Sequence, residues 1–169
     1  MQQRFHLAQT FKRTAVLCVA IPLAIQTALA QGRVLYPDPA VAKTEIHEAL
    51  QRAKTQHKRV ILDFGGNWCA DCKVLDIYFH DPANKALLDE NFELVDVNIG
   101  HYDVNQDIAA RYGIPLERGV PALVVLSPDG KVLLAQTHGE FESMRSLQSS
   151  DVTKFLNDWK PARHGTQGR

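Results

Sequence analysis

The sequence predicts a mixed α/β domain, and three observations carry that prediction. Apolar residues recur at helical spacing in some stretches and run nearly unbroken in others; the two kinds of stretch alternate; and the last two runs are joined by a short turn. Over 169 residues, 45% apolar with 22% charged is ordinary globular composition, which speaks against disorder and against a multi-span membrane protein.

The first thirty residues form an export signal in outline. Arg4, Lys12 and Arg13 make residues 1–14 basic, residues 15–25 are apolar, and Ala28 and Ala30 supply small residues for cleavage before Gln31. Eleven apolar residues containing Pro22 fall short of the roughly 20 needed to span a bilayer. Leu17 before Cys18 does not suit a lipoprotein signal, and removal of the segment takes Cys18 with it. The remainder then carries 16 basic against 19 acidic groups, so no basic footprint for nucleic acid is present. A single domain over 31–160 with a polar tail at 161–169 is expected.

Within the domain, Asp38-Pro39 is a helix start, because Asp caps open N–H groups and Pro suits the first helical position. Ala42, Ile46, Ala49, Leu50 and Ala53 follow as a one-sided apolar stripe. The run 60–64, Val-Ile-Leu-Asp-Phe, is predicted as a strand covered on both faces, with Asp63 its one polar intruder. Val74, Leu75, Tyr78 and Phe79 continue a helix that Asp81-Pro82 ends while starting another. A strand over 92–98, a short helix over 104–112 closed by Gly113, and a hairpin of 122–126 with 131–134 around Ser127-Pro128-Asp129-Gly130 come next. A helix around 151–159 with Val152, Phe155, Leu156 and Trp159 on one face closes the pattern.

Between the first strand and the helix after it stands Asn67-Trp68-Cys69-Ala70-Asp71-Cys72-Lys73. Open N–H groups at a helix N-terminus stabilise a thiolate, and two cysteines one turn apart can close a small disulfide ring without remodelling the fold. Cys69, on the strand side, is the expected nucleophile and is expected to be partly exposed; Cys72, one turn in, is the expected shielded, resolving thiol. The chemistry implied is thiol–disulfide exchange, which needs no bound cofactor. A structural staple is a poor reason for so short a ring. A metal-binding pair is the other reading, but no second C-x-x-C or spaced His pair completes a tetrahedral site.

The segment from about Arg59 to Leu134 resembles thioredoxin, and more closely the C-terminal thioredoxin-like domain of the periplasmic electron carrier DsbD. VILDF, NWCADCK, YFHDP, YGI, RGVPALVVL and SPDGK carry the resemblance. It implies a thioredoxin fold, a central mixed β-sheet flanked by helices. It also implies that Asp63 takes the proton of Cys72, directly or through water, that Pro121 is the family's cis-proline, and that the backbone at Val120 pairs with substrate. Trp68 is expected to pack beside Cys69 at the substrate surface, with plain core packing as the alternative.

Three departures matter. Asp96 takes a place where thioredoxins usually hold a lysine near the buried aspartate; it makes Asp63 harder to ionise if it points the same way, and means nothing if it faces water. Pro115-Leu116-Glu117 extend a loop by three residues and could alter substrate choice. Asp71 places negative charge near both sulfurs and should oppose thiolate formation, which favours a reductase or electron carrier. His47, His57, His80, His101, His138 and His164 share no ligand spacing and default to solvated surface positions. The function expected is an exported, periplasmic or secreted, protein-disulfide oxidoreductase. Its partners would be disulfide-containing protein substrates and a membrane dithiol electron donor. An oxidase or isomerase, a thiol metal-binding module and a scaffold with a vestigial site are the alternatives.

Overall fold

The computed structural model describes residues 34–162. The export signal expected over 1–30, its cleavage point, Cys18 and all but the first two residues of the tail lie outside the described residues. A 3-10 turn at Pro39–Val41, capped by the Asp38 side chain with Pro39 at its first position, leads into α1, Ala42–Gln56. Then come β1 (Arg59–Gly65), α2 (Ala70–Phe79), α3 (Pro82–Asn91), β2 (Phe92–Asn98), α4 (Gln106–Tyr112), β3 (Ala122–Leu126), β4 (Val132–Ala135) and α5 (Ser149–Trp159). Among the described residues no helix is long and apolar enough to cross a membrane.

The strands form one sheet in the order β2-β1-β3-β4. β1 runs parallel to β2 and antiparallel to β3, which pairs antiparallel with β4. β1 is therefore interior, and that is why its sequence is almost wholly apolar and why every residue from Val60 to Gly65 is buried. Alternation along it feeds two cores. Val60, Leu62 and Phe64 pack with Ile46 and Ala49 of α1 and Ile108 of α4, whereas Ile61 packs with Leu75 and Phe79 of α2 and Leu156 of α5. Each such side chain contributes roughly 1.5–3 kcal/mol when fully buried, so a one-residue slip that exchanged the faces would be heavily disfavoured.

The hairpin turn closes with Gly130 N–H donating to Ser127 O at 2.9 Å and Gly130 at φ 80°, and the ladder shifts register at Val125/Leu126. A type I turn followed by a left-handed glycine and a bulge matches the twist of the two strands. Two segments without regular structure complete the fold. Residues 34–38 tuck Tyr36 fully into the core, so ordered packing begins before Asp38. Residues 136–148 cross the end of α2, burying Phe141 and Met144 and forming a 3-10 turn at Met144–Ser146.

Candidate redox site

β1 delivers the chain to α2 through Gly66, Asn67 and Trp68, and Cys69 is the N-cap of the helix, where its sulfur accepts the Cys72 backbone N–H at 3.0 Å. The sulfur of Cys69 thus stands at the unsatisfied, positive end of α2. Cys69 and Cys72 are joined as a disulfide with their Cα atoms 5.3 Å apart. Cys69 keeps 4% of its surface exposed and Cys72 none. The order of accessibility is the expected one, but "partly exposed" overstates Cys69. The carbonyl oxygen of Val120, 3.6 Å from its sulfur, helps to cover it.

That carbonyl precedes Pro121, and the Val120–Pro121 peptide bond is cis. Val120 and Pro121 are both buried and enter β3 at its sulfur-facing end. Trp68 is 41% exposed, so plain core packing does not describe it. Its indole N–H donates to Gly100 O, and its ring stacks on His101 (centroids 5.6 Å apart) and tilts against Tyr102 (5.4 Å). His101 is therefore not merely solvated: it lies at the rim of the site. Beside Gly119, an open hollow of about 540 Å³ is lined by Tyr102, Ile114, Leu116 and Glu117, which puts the extended 115–117 loop next to the Val120 backbone.

Asp63 is 2% exposed on the interior strand, the doubly covered position that its apolar neighbours predict. Burial first, and then the charge of Asp96, hold its carboxyl well above the ordinary aspartate range; Asp76 adds to this, and a hydrogen bond from Tyr36 opposes it. Asp96 is Asp63's register partner on the parallel neighbour β2, so the two carboxyls share a face of the sheet. Of the two orientations open from sequence, the one that makes Asp63 harder to ionise is realised. Asp76, four residues after Cys72 on α2, escaped sequence reasoning although its i+4 spacing to a cysteine was available as a signal.

Tyr36 also escaped. Its hydroxyl donates to Asp63 Oδ2 at 2.9 Å, while Asp63 Oδ1 finds no hydrogen-bond partner among the described residues. Asn67 clamps the Tyr36 segment to the active-site loop. Its side-chain oxygen accepts from Leu35 N–H (2.9 Å) and Tyr36 N–H (3.0 Å), and its amide donates to Tyr36 O (2.8 Å).

The expectation for Asp71 needs correction. Its carboxylate is 13% exposed and is gripped by Arg145: Oδ1 accepts from the Arg145 backbone N–H (3.0 Å) and from Nε (3.1 Å), and Oδ2 lies 3.1 Å from Nη2. Burial pushes Asp71 up, but the hydrogen bonds and charge of Arg145 outweigh it and hold the carboxyl below its ordinary value. The negative charge next to the sulfurs is therefore compensated, and its opposition to a Cys69 thiolate is blunted. Nothing local in the sequence pointed to a partner so far away in the chain. His80, the C-cap of α2, approaches Asp76 O at 2.7 Å and Asp76 Oδ1 at 3.1 Å. Among the described residues no group of three or more His, Cys, Asp or Glu side chains is placed to hold a metal ion.

Comparisons with known proteins bear on the fold. The Thioredoxin-like family model matches residues 41–128. A solved disulphide isomerase from Xylella fastidiosa Temecula1 is 35% identical with a TM-score of 0.71, covering 75% of this chain and 96% of that one. The DsbD C-terminal domain of Neisseria meningitidis, at 22% identity and a TM-score of 0.51 over 70% of this chain and 96% of that one, shares the fold. The thiol:disulfide interchange protein DsbD of Pseudomonas fluorescens is 28% identical over 121 residues, 70% of this chain. The match spans 19% of that relative's length.

Proposed function

The chain belongs to the thioredoxin-like family, and on that premise we propose that it is an exported thiol–disulfide oxidoreductase that chiefly reduces disulfides in protein substrates. One observation carries the reading. A C-x-x-C disulfide sits at a helix N-terminus, with the Cys69 sulfur facing the Val120 carbonyl, and a buried carboxyl, Asp63, lies on the strand that leads into that helix.

In the reduced protein the Cys69 thiolate attacks one sulfur of a substrate disulfide. A Cys69–substrate bond forms, the substrate S–S bond breaks, and the other substrate sulfur leaves as a thiolate. Cys72 then gives up its proton and attacks Cys69, forming the ring and releasing the second substrate thiolate. Two electrons have passed from the protein dithiol to the substrate. Asp63 accepts the Cys72 proton, a role supported by its raised affinity for protons, which brings it toward the range useful for transfer. Val120 offers its backbone to an extended substrate segment, Pro121 holds that backbone in place, Trp68 presents an aromatic face beside Cys69, and the 115–117 loop shapes the adjoining hollow. A partner dithiol, on a membrane relay if the protein is periplasmic, returns the two electrons.

Export is supported by the pattern of residues 1–30 and by similarity to proteins named thiol:disulfide interchange protein. The isomerase direction has an observation of its own, the likeness to the Xylella fastidiosa protein titled a disulphide isomerase. Equilibration with glutathione separates the directions. A reductase holds its Cys69–Cys72 couple near thioredoxin's roughly −270 mV and reduces insulin; a couple near about −180 mV or above, with reactivation of scrambled ribonuclease, assigns isomerase or oxidase work instead.

A further inference from the structure

The proton acceptor proposed above is not alone beneath the disulfide. Asp63 and Gly65 are alternate residues of β1 and so project to the same face of the sheet. The Tyr36 hydroxyl donates to Asp63 Oδ2 at 2.9 Å and also occupies the space where a side chain at Gly65 would project: a Cβ there would lie 2.3 Å from that hydroxyl oxygen and 2.8 Å from the sulfur of Cys72. The hydroxyl and the resolving sulfur thus border one small space that exists because residue 65 has no side chain. The geometry points to Tyr36 as the proton relay between Cys72 and Asp63, a role that rests on the redox reading of the site and names the group through which its proton moves.

A phenol suits the position because it can accept a proton on oxygen while donating its own. As Cys72 attacks the mixed disulfide, its thiol proton passes to the Tyr36 oxygen and the Tyr36 proton passes to Asp63 Oδ2. The Cys69–substrate bond breaks, the Cys69–Cys72 bond forms, and the substrate sulfur leaves with the electron pair as a thiolate. Tyr36 ends with the proton count it began with. Burial and the carboxyls of Asp63, Asp96 and Asp76 hold its phenol well above the ordinary value, so it hands a proton on without ionising in the neutral range. Asn67, two residues before Cys69, fixes the Leu35–Tyr36 backbone through three hydrogen bonds, so the relay is tied to the loop that carries the nucleophile.

The test uses the reduced protein with excess 5,5′-dithiobis(2-nitrobenzoate), whose first thionitrobenzoate release reports attack by Cys69 and whose second reports resolution by Cys72. Tyr36→Phe is expected to leave the first phase within about twofold and slow the second roughly tenfold or more near neutral pH, as loss of a positioned proton carrier does. Asp63→Asn slows the second phase too, and the double variant is no slower than the slower single one. Replacing Tyr36 with 3-fluorotyrosine, a stronger hydrogen-bond donor of nearly the same shape, lowers the Asp63 pKa further and with it the pH midpoint of the second phase, and keeps the test open if Tyr36→Phe folds poorly. A wild-type second phase in Tyr36→Phe, multiplying effects in the double variant, or an unmoved midpoint with fluorotyrosine overturns the relay alone. A wild-type second phase in Asp63→Asn instead removes the proposed acceptor, and recovery of two thionitrobenzoate adducts in place of a Cys69–Cys72 ring in the unmodified protein removes the redox reading; either takes the relay with it.

Discussion

Arg145 holds Asp71, the third residue of the C-x-x-C, through both its backbone N–H and its guanidinium, at 3.0–3.1 Å. The grip ties the 136–148 segment to the first turn of α2 and neutralises an acid placed beside the redox sulfurs. Arg145→Ala should raise the Cys69 pKa, because the Asp71 charge then acts on the thiolate uncompensated. Thiolate absorbance near 240 nm followed against pH checks this, and an unmoved titration contradicts it. With the Arg145 side chain 70% exposed, the ion pair itself is worth only about 0.2–1 kcal/mol and should fade with salt. Asp71's folded pKa is depressed, so this stabilisation is present above the ordinary aspartate value and is lost as pH falls through the folded one.

Asp63→Asn should make the protein more stable at neutral pH while slowing it. Asp63's folded pKa is raised, so the unfolded state ionises first as pH climbs, and the stability penalty grows from the ordinary aspartate range up to the folded pKa. Asn removes that penalty, and its carbonyl can still accept from Tyr36. Melting temperature should therefore rise at pH 7–8, with the gain vanishing near pH 3. Resolution of the mixed disulfide should slow by roughly 10²-fold, the low end for a lost general base. An unchanged melting temperature at both pH values would contradict the account.

Gly65→Ala should destabilise and slow the protein together. The new methyl group meets Tyr36 and Cys72, both fully buried and unable to swing away, which is overpacking worth about 1–3 kcal/mol. Urea unfolding measures the loss. An alanine variant as stable as the parent would show that the space between hydroxyl and sulfur is looser than the structure has it.

Cys72→Ser should stall at the mixed disulfide and accumulate covalent adducts with substrate proteins that dissolve on reduction, whereas Cys69→Ser should form none. Non-reducing electrophoresis reads both. Adducts of equal yield from the two variants would sink the assignment of nucleophile and resolving thiol.

Much of this architecture is legible in the residues. The nearly unbroken run at 60–64 reads as a doubly covered strand because it is one, and the strand at 92–98 falls where alternation places it. Local signals also mark Cys69 as a helix cap and Asp63 as an acid among apolar neighbours. What escaped is what depends on distance. Tyr36 belongs to no periodic stretch, and its partner Asp63 lies 27 residues away; Arg145 reaches Asp71 across 74 residues of sequence. Asp96, which the resemblance put near Asp63, could be given the same face only once strand register was known, since a one-residue shift turns a side chain to the other face.

The central claim is that Cys69 is the reactive thiol and Cys72 waits behind it. Limited alkylation of the reduced protein with iodoacetamide at pH 7, resolved peptide by peptide by mass spectrometry, tests it most directly. The account predicts that Cys69 is modified at least about tenfold faster than Cys72, because of the two residues it alone keeps any exposure and its sulfur stands at the helix N-terminus. Equal, slow labelling of both sulfurs would contradict it.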